Sequence, residues 1–583
     1  MVNKYYVGIT VGPIADTMAY SSAPVALWFA SYLFSSLVRN LCIEIEKKNT
    51  ERDSDKKNVI FTLRKKDKTD NDETDNEYYD EMYNSGIGVY HDRIYFSCYG
   101  ESERKIGDEI SEYKSNAIEM IVDEIFKTDR SLEGNEGIIS GMNLSDLDEF
   151  LQSYFQIHYV IFEDKNINVG LAKTLSDALD SLELANKVMF SQKLNYIQKL
   201  MQGDAKGNNG LLRKSKALKK IAENDNTNLI KGEKQTDLHF RSILNISSGD
   251  KVDDSGDADI QSKLAALNKT CSYYAIVYAD GDNMGEIISV EGEKSKEDQE
   301  KRIAQFSKLC TDYSKNAVDK IKDYGGVTIY AGGDDLLFLA PIYKSNNTKG
   351  NETSGTNNIW QLCRDIAMKF NTISNEWLDK NKISISDARP SISFGVSINY
   401  YKYPLYEALD DARYLLFCKA KQGTKNNLAV RLNKASGQAQ GFVCCMETTE
   451  NQVNTYSLFL ELIDKIYNKD IKDSYSLTDE LLHSVLYNME NKKKLYEYVV
   501  DRNDFRERIT NLFMSDFGYC NNGQDNFQHE QLSIIIDLIC NMQEEKNMNK
   551  NKVSTLDGMN KTISVVTNMI RVAKFLVEER KDG

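Results

Sequence analysis

Residues Tyr330 to Leu339 read Tyr-Ala-Gly-Gly-Asp-Asp-Leu-Leu-Phe-Leu, two β-like runs joined by a tight turn. Two adjacent glycines supply the positive φ angles that such a hairpin needs. The turn then presents Asp334 and Asp335 side by side at the edge of a sheet, where a bound divalent cation is the simplest way to tolerate both charges. A fold for this chain has to bring other chemistry to that turn.

A second acidic strand end lies upstream. Tyr273 to Tyr278 is a strand that runs into Ala279-Asp280-Gly281-Asp282-Asn283-Met284-Gly285. One helix and one strand separate the two acidic turns. In a β-α-β-β unit the crossover returns the chain beside its first strand, so Asp280 comes next to Asp334 and Asp335. An Asp-rich hairpin alone is an ordinary polar turn; two of them bracketing a helix read as a metal–nucleotide site. Asp280, Asp334 and Asp335 are the expected catalytic and metal-ligating residues for two Mg²⁺ (or Mn²⁺) ions. Such a pair, about 3.5–4 Å apart, stabilises both oxygens of an in-line phosphoryl displacement. Asp282, Asn283, Met284 and Gly285 sit where a helix begins, so their backbone N–H groups can cradle a triphosphate, with Gly281, Gly332 and Gly333 allowing close approach. Downstream, Lys419-Ala420-Lys421-Gln422-Gly423-Thr424-Lys425 ends a helix with basic residues that can neutralise transferring phosphates. Lys421 is the favoured phosphate ligand and Lys425 a second candidate, although a basic helix end is also favoured by the helix dipole alone.

Bulk properties bound the rest. The 583 residues exceed one core, and 41% hydrophobic content supports packed domains. Its longest apolar stretch, Ala23 to Leu37, is broken by serines and reads as a buried helix, so no membrane partner and a cytoplasmic location are expected. A formal charge of −15 disfavours a free-standing nucleic-acid binder and leaves most nucleic-acid holding to other chains. Ten cysteines without a Cys-x-x-Cys indicate neither zinc nor a disulfide framework.

Strand and helix patterns predict an α+β chain. Residues 1–165 hold strands at Tyr5–Val11, Val59–Leu63, a strand pair within Ile87–Cys98 and His158–Phe162, with helices at Val25–Ile45, Ile106–Phe126 and Leu144–Phe155. A charged loop is expected over Lys65–Asp80. Residues 166–268 are helical, at Leu171–Met201 and Leu211–Ile221, followed by a polar linker from Asn224 to Asp259. Residues 269–442 form the second α/β unit, whose first helix places Ile303, Phe306, Leu309, Cys310, Tyr313, Ala317 and Ile321 on one face. A polar loop over Lys344–Asn358, a helix at Ile359–Leu378 and strands at Ser391–Tyr400 and Leu428–Leu432 complete it. Residues 443–583 read as helices only, at Tyr456–Tyr467, Thr478–Tyr487, Leu495–Tyr498, Gln531–Met542 and Ile563–Val577.

The unit around Gly-Gly-Asp-Asp resembles the palm shared by diguanylate cyclases and the large signalling subunit of type III CRISPR effector complexes. The Ala420–Asn426 helix end resembles the one that grips phosphates in that superfamily, while two aspartates in place of Asp-Glu and the run Tyr400–Leu409 with Ser436-Gly437 resemble the CRISPR subunit. The opening Val11-Gly12-Pro13-Ile14 with Leu27–Ser35 resembles its Cmr-type (III-B) form. The resemblance implies two ferredoxin-like, nucleotide cyclase-like palms with helical insertions and an all-helical C-terminal domain. The first palm is expected to be degenerate, because Thr10-Val11-Gly12-Pro13 stands in place of Asp280-Gly281-Asp282.

That family implies an antiviral nucleotidyltransferase that uses ATP to make a second messenger when the complex pairs with target RNA. Its implied partners are the other subunits of a Cmr-type ribonucleoprotein, with guide RNA and target RNA held through the complex. Cyclic oligoadenylate is the expected product; members that join AMP to S-adenosylmethionine supply an alternative, and a non-catalytic scaffold is the alternative of another class. Many members carry a His-Asp nuclease domain. Here the five histidines are scattered and His91-Asp92 lies in a strand-like segment, so no nuclease activity is expected.

Overall fold

The computed structural model describes residues 2–53, 56–62, 82–126, 144–167, 170–185, 195–202, 229–231, 238–252, 260–267, 269–285, 295–344, 357–380, 389–423, 425–446, 454–467, 474–517, 525–548 and 562–577. The expected loop at 65–80 and helix at 211–221 lie outside them, as does most of the expected loop at 344–358.

In β1 (Asn3–Gly12) successive side chains alternate between two covered faces. Val7, Ile9 and Val11 belong to the main core with helix α1 (Pro24–Lys47), while Tyr6 packs with Leu171, Leu175 and Leu179 of α3 (Leu171–Ala185). β1 pairs antiparallel with β3 (Arg93–Gly100) and β4 (Gln156–Glu163), and β2 (Val59–Ile60) adds the outer edge, giving the order β2-β3-β1-β4. Helix α2 (Glu103–Ile121), capped by Ser102, packs on α1. Within the expected strand pair at 87–98 only β3 forms as a strand; Gly88 instead bridges to Tyr330 in the other half of the molecule.

Between the two halves, Leu229–Lys231 (β5) and Leu238–Phe240 (β6) form a small antiparallel pair inside the expected linker. The second sheet has the order β12-β11-β10-β7-β9-β8. It comprises β7 (Tyr273–Asp282), β8 (Val327–Gly332), β9 (Asp335–Pro341), β10 (Ser391–Tyr400), β11 (Asn427–Asn433) and β12 (Ala439–Cys445). Its β10-β7-β9-β8 portion repeats the antiparallel pairing of β4-β1-β3-β2. Helix α4 (Lys296–Tyr324) starts at a Ser295 cap and stops at Gly325, whose φ of 94° ends it. The predicted face is buried except Phe306, which is half-buried. Helix α5 (Ile359–Lys380) lies beside α4, and Tyr313 of α4 meets Phe370 of α5 edge-on at 4.9 Å.

The halves are joined at the edge strand β8. Ser31 Oγ of α1 donates to Ile329 O at 2.9 Å, and Ala331 N donates to Gly88 O at 2.8 Å. A Cβ on Gly88 would lie 2.3 Å from Ser31 Oγ and would turn that hydroxyl off Ile329 O. The first turn of α4 forms a second joint: Lys4 Nζ and Tyr6 Oη both bond Glu300, at 2.6 and 2.8 Å.

Beyond β12, which runs past the expected change of character at Val443, the chain is helical. A helix at Phe505–Phe517 joins the expected ones. The last helix, Thr562–Val577, packs on β12, and Phe575 meets Tyr273 edge-on at 4.8 Å. Among the described residues one helix, Pro24–Glu51, is long and apolar enough to cross a membrane, but 89% of its apolar window is buried inside the fold.

Candidate active site

The C-terminal end of β7 delivers Asp280, and the β8–β9 turn delivers Asp334 and Asp335 beside it. Gly281 makes the approach possible: a Cβ there would lie 2.8 Å from both Asp334 Cβ and Asp334 Oδ2. Gly332 ends β8, and Gly333 adopts a φ of 66° in the turn. Asp280 and Asp334 share a hydrogen bond. Lys421 Nζ bonds the Asp280 carboxylate and Gly281 O, the latter at 2.9 Å, and stands 3.9 Å from Asp282 Oδ1.

These acids are crowded and largely enclosed. Burial raises the Asp280 carboxyl, and Lys421 opposes that rise. Burial and then the Asp280 charge push Asp334 up to about 7. Asp335 is held well above the ordinary carboxylate range by burial, then by Asp280, Asp334 and Asp92. One lysine cannot compensate three acids, so their joint ionisation calls for further positive charge. The donors are all carboxylate oxygens, which suit a hard divalent cation. Among the described residues no three His, Cys, Asp or Glu side chains close into a ready-made cage. Asp280, Asp334 and Asp335 offer the oxygen donors that Mg²⁺ or Mn²⁺ takes.

The Asp282 side chain is turned inward. Its side chain is 0% exposed, and its Oδ2 accepts from Ser391 Oγ, Ser393 Oγ and Asn426 N at 2.8, 2.7 and 2.9 Å. It ties β7, β10 and the segment before β11 together and offers a ligand only its backbone. Ser391 and Ser393 escaped the sequence reading; their alternation on β10 was the available signal. Asn283 takes a left-handed φ of 61° and accepts from Lys425 Nζ at 2.8 Å, while Met284 and Gly285 turn helical. Lys425 is thereby brought to the same rim as Lys421.

The first sheet carries a counterpart with different charges. β1 and β7 are both ten residues long, so Thr10 matches Asp280. Thr10 pairs with Arg93 and His158; Asp280 pairs with Ser393, and its neighbour Ala279 pairs with Leu336. Arg93 thus stands at the position of Asp335, and Asp92 at that of Asp334. Arg93 bonds Asp180, Ser176 Oγ (2.8 Å) and Glu183 (3.5 Å), while Thr10 Oγ1 donates to Glu183 at 2.6 Å. His91 and Asp92 are not in a strand; they precede β3 and lie against the turn, with the Gly333 Cβ position 3.9 Å from His91 Cβ. Burial pushes His91 down to about 4 and raises Asp92.

Residues 273–429 match the family model described as Cas10/Cmr2, second palm domain. The CRISPR system Cmr subunit Cmr2 of Pyrococcus furiosus is 30% identical over 187 residues, covering 28% of this chain and 19% of that protein. The match therefore spans about a fifth of that relative's length. Among solved structures, the type III-B Cmr-beta complex in its apo state contains a chain that superposes with a TM-score of 0.54 at 10% identity. That superposition covers 99% of this chain and 82% of the other and shows likeness of fold. The Csm1-Csm4 cassette in complex with one ATP superposes at a TM-score of 0.47 and 12% identity, over 99% of this chain and 70% of that one. The second α/β unit is thus similar to the Cas10/Cmr2 second palm, and the α+β class expected from sequence holds.

Proposed function

We propose that this chain, with its Cas10/Cmr2 second palm at residues 273–429, is the nucleotidyltransferase subunit of a Cmr-type CRISPR ribonucleoprotein. It uses ATP to build a signalling nucleotide when guide RNA pairs with target RNA. The observation that carries the reading is the cluster of Asp280, Asp334 and Asp335 with Lys421 at its rim. A scaffold has no use for three crowded, partly enclosed acids, because they oppose folding unless a cation offsets them.

Asp280, Asp334 and Asp335 would hold two divalent cations, which would supply Lewis-acid stabilisation of the phosphoryl oxygens. The backbone of residues 282–285 and Lys421 grip the triphosphate, with Lys425 beside them. Lys421, which bonds the Asp280 carboxylate and Gly281 O in this structure, would turn its charge to phosphate. An acceptor hydroxyl then attacks the α-phosphorus: the new O–P bond forms, the α–β phosphoanhydride breaks and pyrophosphate leaves. The acceptor's proton leaves to water.

With ATP as acceptor the product is cyclic oligoadenylate. A second reading is favoured by one observation: Asp92, Asp180 and Glu183 surround a single arginine in the first palm. That acidic field repels a second polyphosphate and favours a cationic acceptor such as S-adenosylmethionine, to which AMP would be joined. Incubation of the assembled complex with labelled ATP, Mg²⁺ and target RNA, with and without S-adenosylmethionine, separates the products by mass. An AMP-containing product with pyrophosphate supports the enzyme, and its absence from an ATP-binding complex supports a scaffold.

A further inference from the structure

Helix α6 (Leu405–Leu415) buries Leu405, Ala408, Leu409, Ala412 and Leu415 at helical spacing. Its outer face carries exposed aromatic rings, Tyr406 and Tyr414, and the π-helical turn after it, Leu416–Ala420, carries Phe417. In that turn Lys421 N donates to Leu416 O, five residues back, at 3.0 Å. The one extra residue rotates the downstream chain by about 100° relative to an α-helix. The turn lies hard against β10, because a Cβ on Gly395 would sit 2.2 Å from Ala412 O and 2.5 Å from Leu416 N. Gly395 thus lets the backbone of the turn close onto the sheet, directing Lys421 inward to Asp280 and leaving Phe417 at the rim.

Phe417 is 40% exposed, an unusual position for a phenylalanine. Its ring stands edge-on to Tyr278 at 5.9 Å, and Tyr278 is two residues before Asp280 on the same face of β7. Lys421 Nζ lies 6.0 Å from the centre of the Phe417 ring. An exposed aromatic face therefore continues directly from the cation that would hold a phosphate. Phosphate grip and flat ring side by side match the two ends of a nucleotide, and every base has a face that can stack.

We propose that Phe417 is the stacking platform for the purine base of the nucleotide whose triphosphate lies at Lys421, and that the Gly395-seated π turn positions ring and cation together. The inference rests on the function proposed above and assigns a base-binding role to a side chain outside the acidic turns. Its test is equilibrium binding of two probes, ATP and inorganic tripolyphosphate, each with Mg²⁺, to wild type, Phe417→Ala and Phe417→Trp. Phe417→Ala is expected to weaken ATP about tenfold or more, leave tripolyphosphate unchanged, and be rescued by Phe417→Trp. Wild-type ATP affinity in Phe417→Ala overturns the proposal, as does equal weakening of both probes, which would place the effect at Lys421. Failure of the wild type to bind either probe would instead overturn the nucleotidyltransferase reading itself.

Discussion

Arg93 occupies in the first sheet the register position that Asp335 holds in the second. The same correspondence sets Thr10 against Asp280 and keeps one carboxylate, Asp92, at the position of Asp334. The first sheet thus carries a built-in guanidinium where the second carries crowded acids. Arg93 is satisfied by Asp180, Ser176 and Glu183. One architecture is used twice, once closed on its own ion pairs and once left open for ligand charge.

Replacing Asp334 and Asp335 together by Ala is expected to reduce nucleotidyl transfer below detection. The melting temperature of the cation-free protein is expected to hold or rise, because burial and mutual repulsion already work against both ionised groups. Product assay and thermal unfolding of the same preparation check both halves.

Lys421→Ala removes a charged contact that strengthens as charge develops on the leaving phosphates. Hydrogen bonds to charged groups contribute about 1.5–3 kcal/mol, so kcat/KM for ATP is expected to fall roughly tenfold to a hundredfold. The loss is expected with any acceptor, which steady-state kinetics with each acceptor in turn will measure.

His91 gives a pH signature. Its imidazole is held down to about 4 in the fold, whereas an unfolded histidine titrates near 6.5. The unfolded chain therefore takes up the proton first. Stability from this group is fully present above about 6.5 and drains away as pH falls towards 4. Melting temperatures between pH 7.5 and 4.5 are expected to fall less steeply in His91→Asn than in wild type.

Much of this was legible in the sequence. Asp280, Asp334 and Asp335 announced themselves because local chemistry, two glycines and consecutive carboxylates at strand ends, dictates their geometry. The α4 face was readable from helical period alone. Contacts between the two halves were not: Gly88 looked like part of a hairpin until its partner proved to be Tyr330, far along the chain. That the serines of β10 draw the Asp282 side chain inward was not legible from its sequence neighbours, which offered only its backbone to a phosphate. The charge inversion at Arg93 needed the register of two sheets, which no single segment encodes.

Gly88→Ala tests the joint between the two halves. Its Cβ would strike Ser31 Oγ, so that hydroxyl must turn away from Ile329 O or β8 must shift. Overpacking of this kind costs about 1–3 kcal/mol. Denaturant unfolding is expected to report that loss, and nucleotidyl transfer is expected to fall with it, because β8 carries the Gly-Gly-Asp-Asp turn. Normal stability with normal turnover would remove the joint from the account.

The most direct measurement follows α-³²P-labelled ATP in the assembled complex with Mg²⁺ and target RNA, comparing wild type with the Asp334→Ala, Asp335→Ala double variant. The account predicts label in an AMP-containing product with equimolar pyrophosphate from wild type, and neither from the variant. Equal product from both proteins, or none from a wild type that binds ATP, would contradict it.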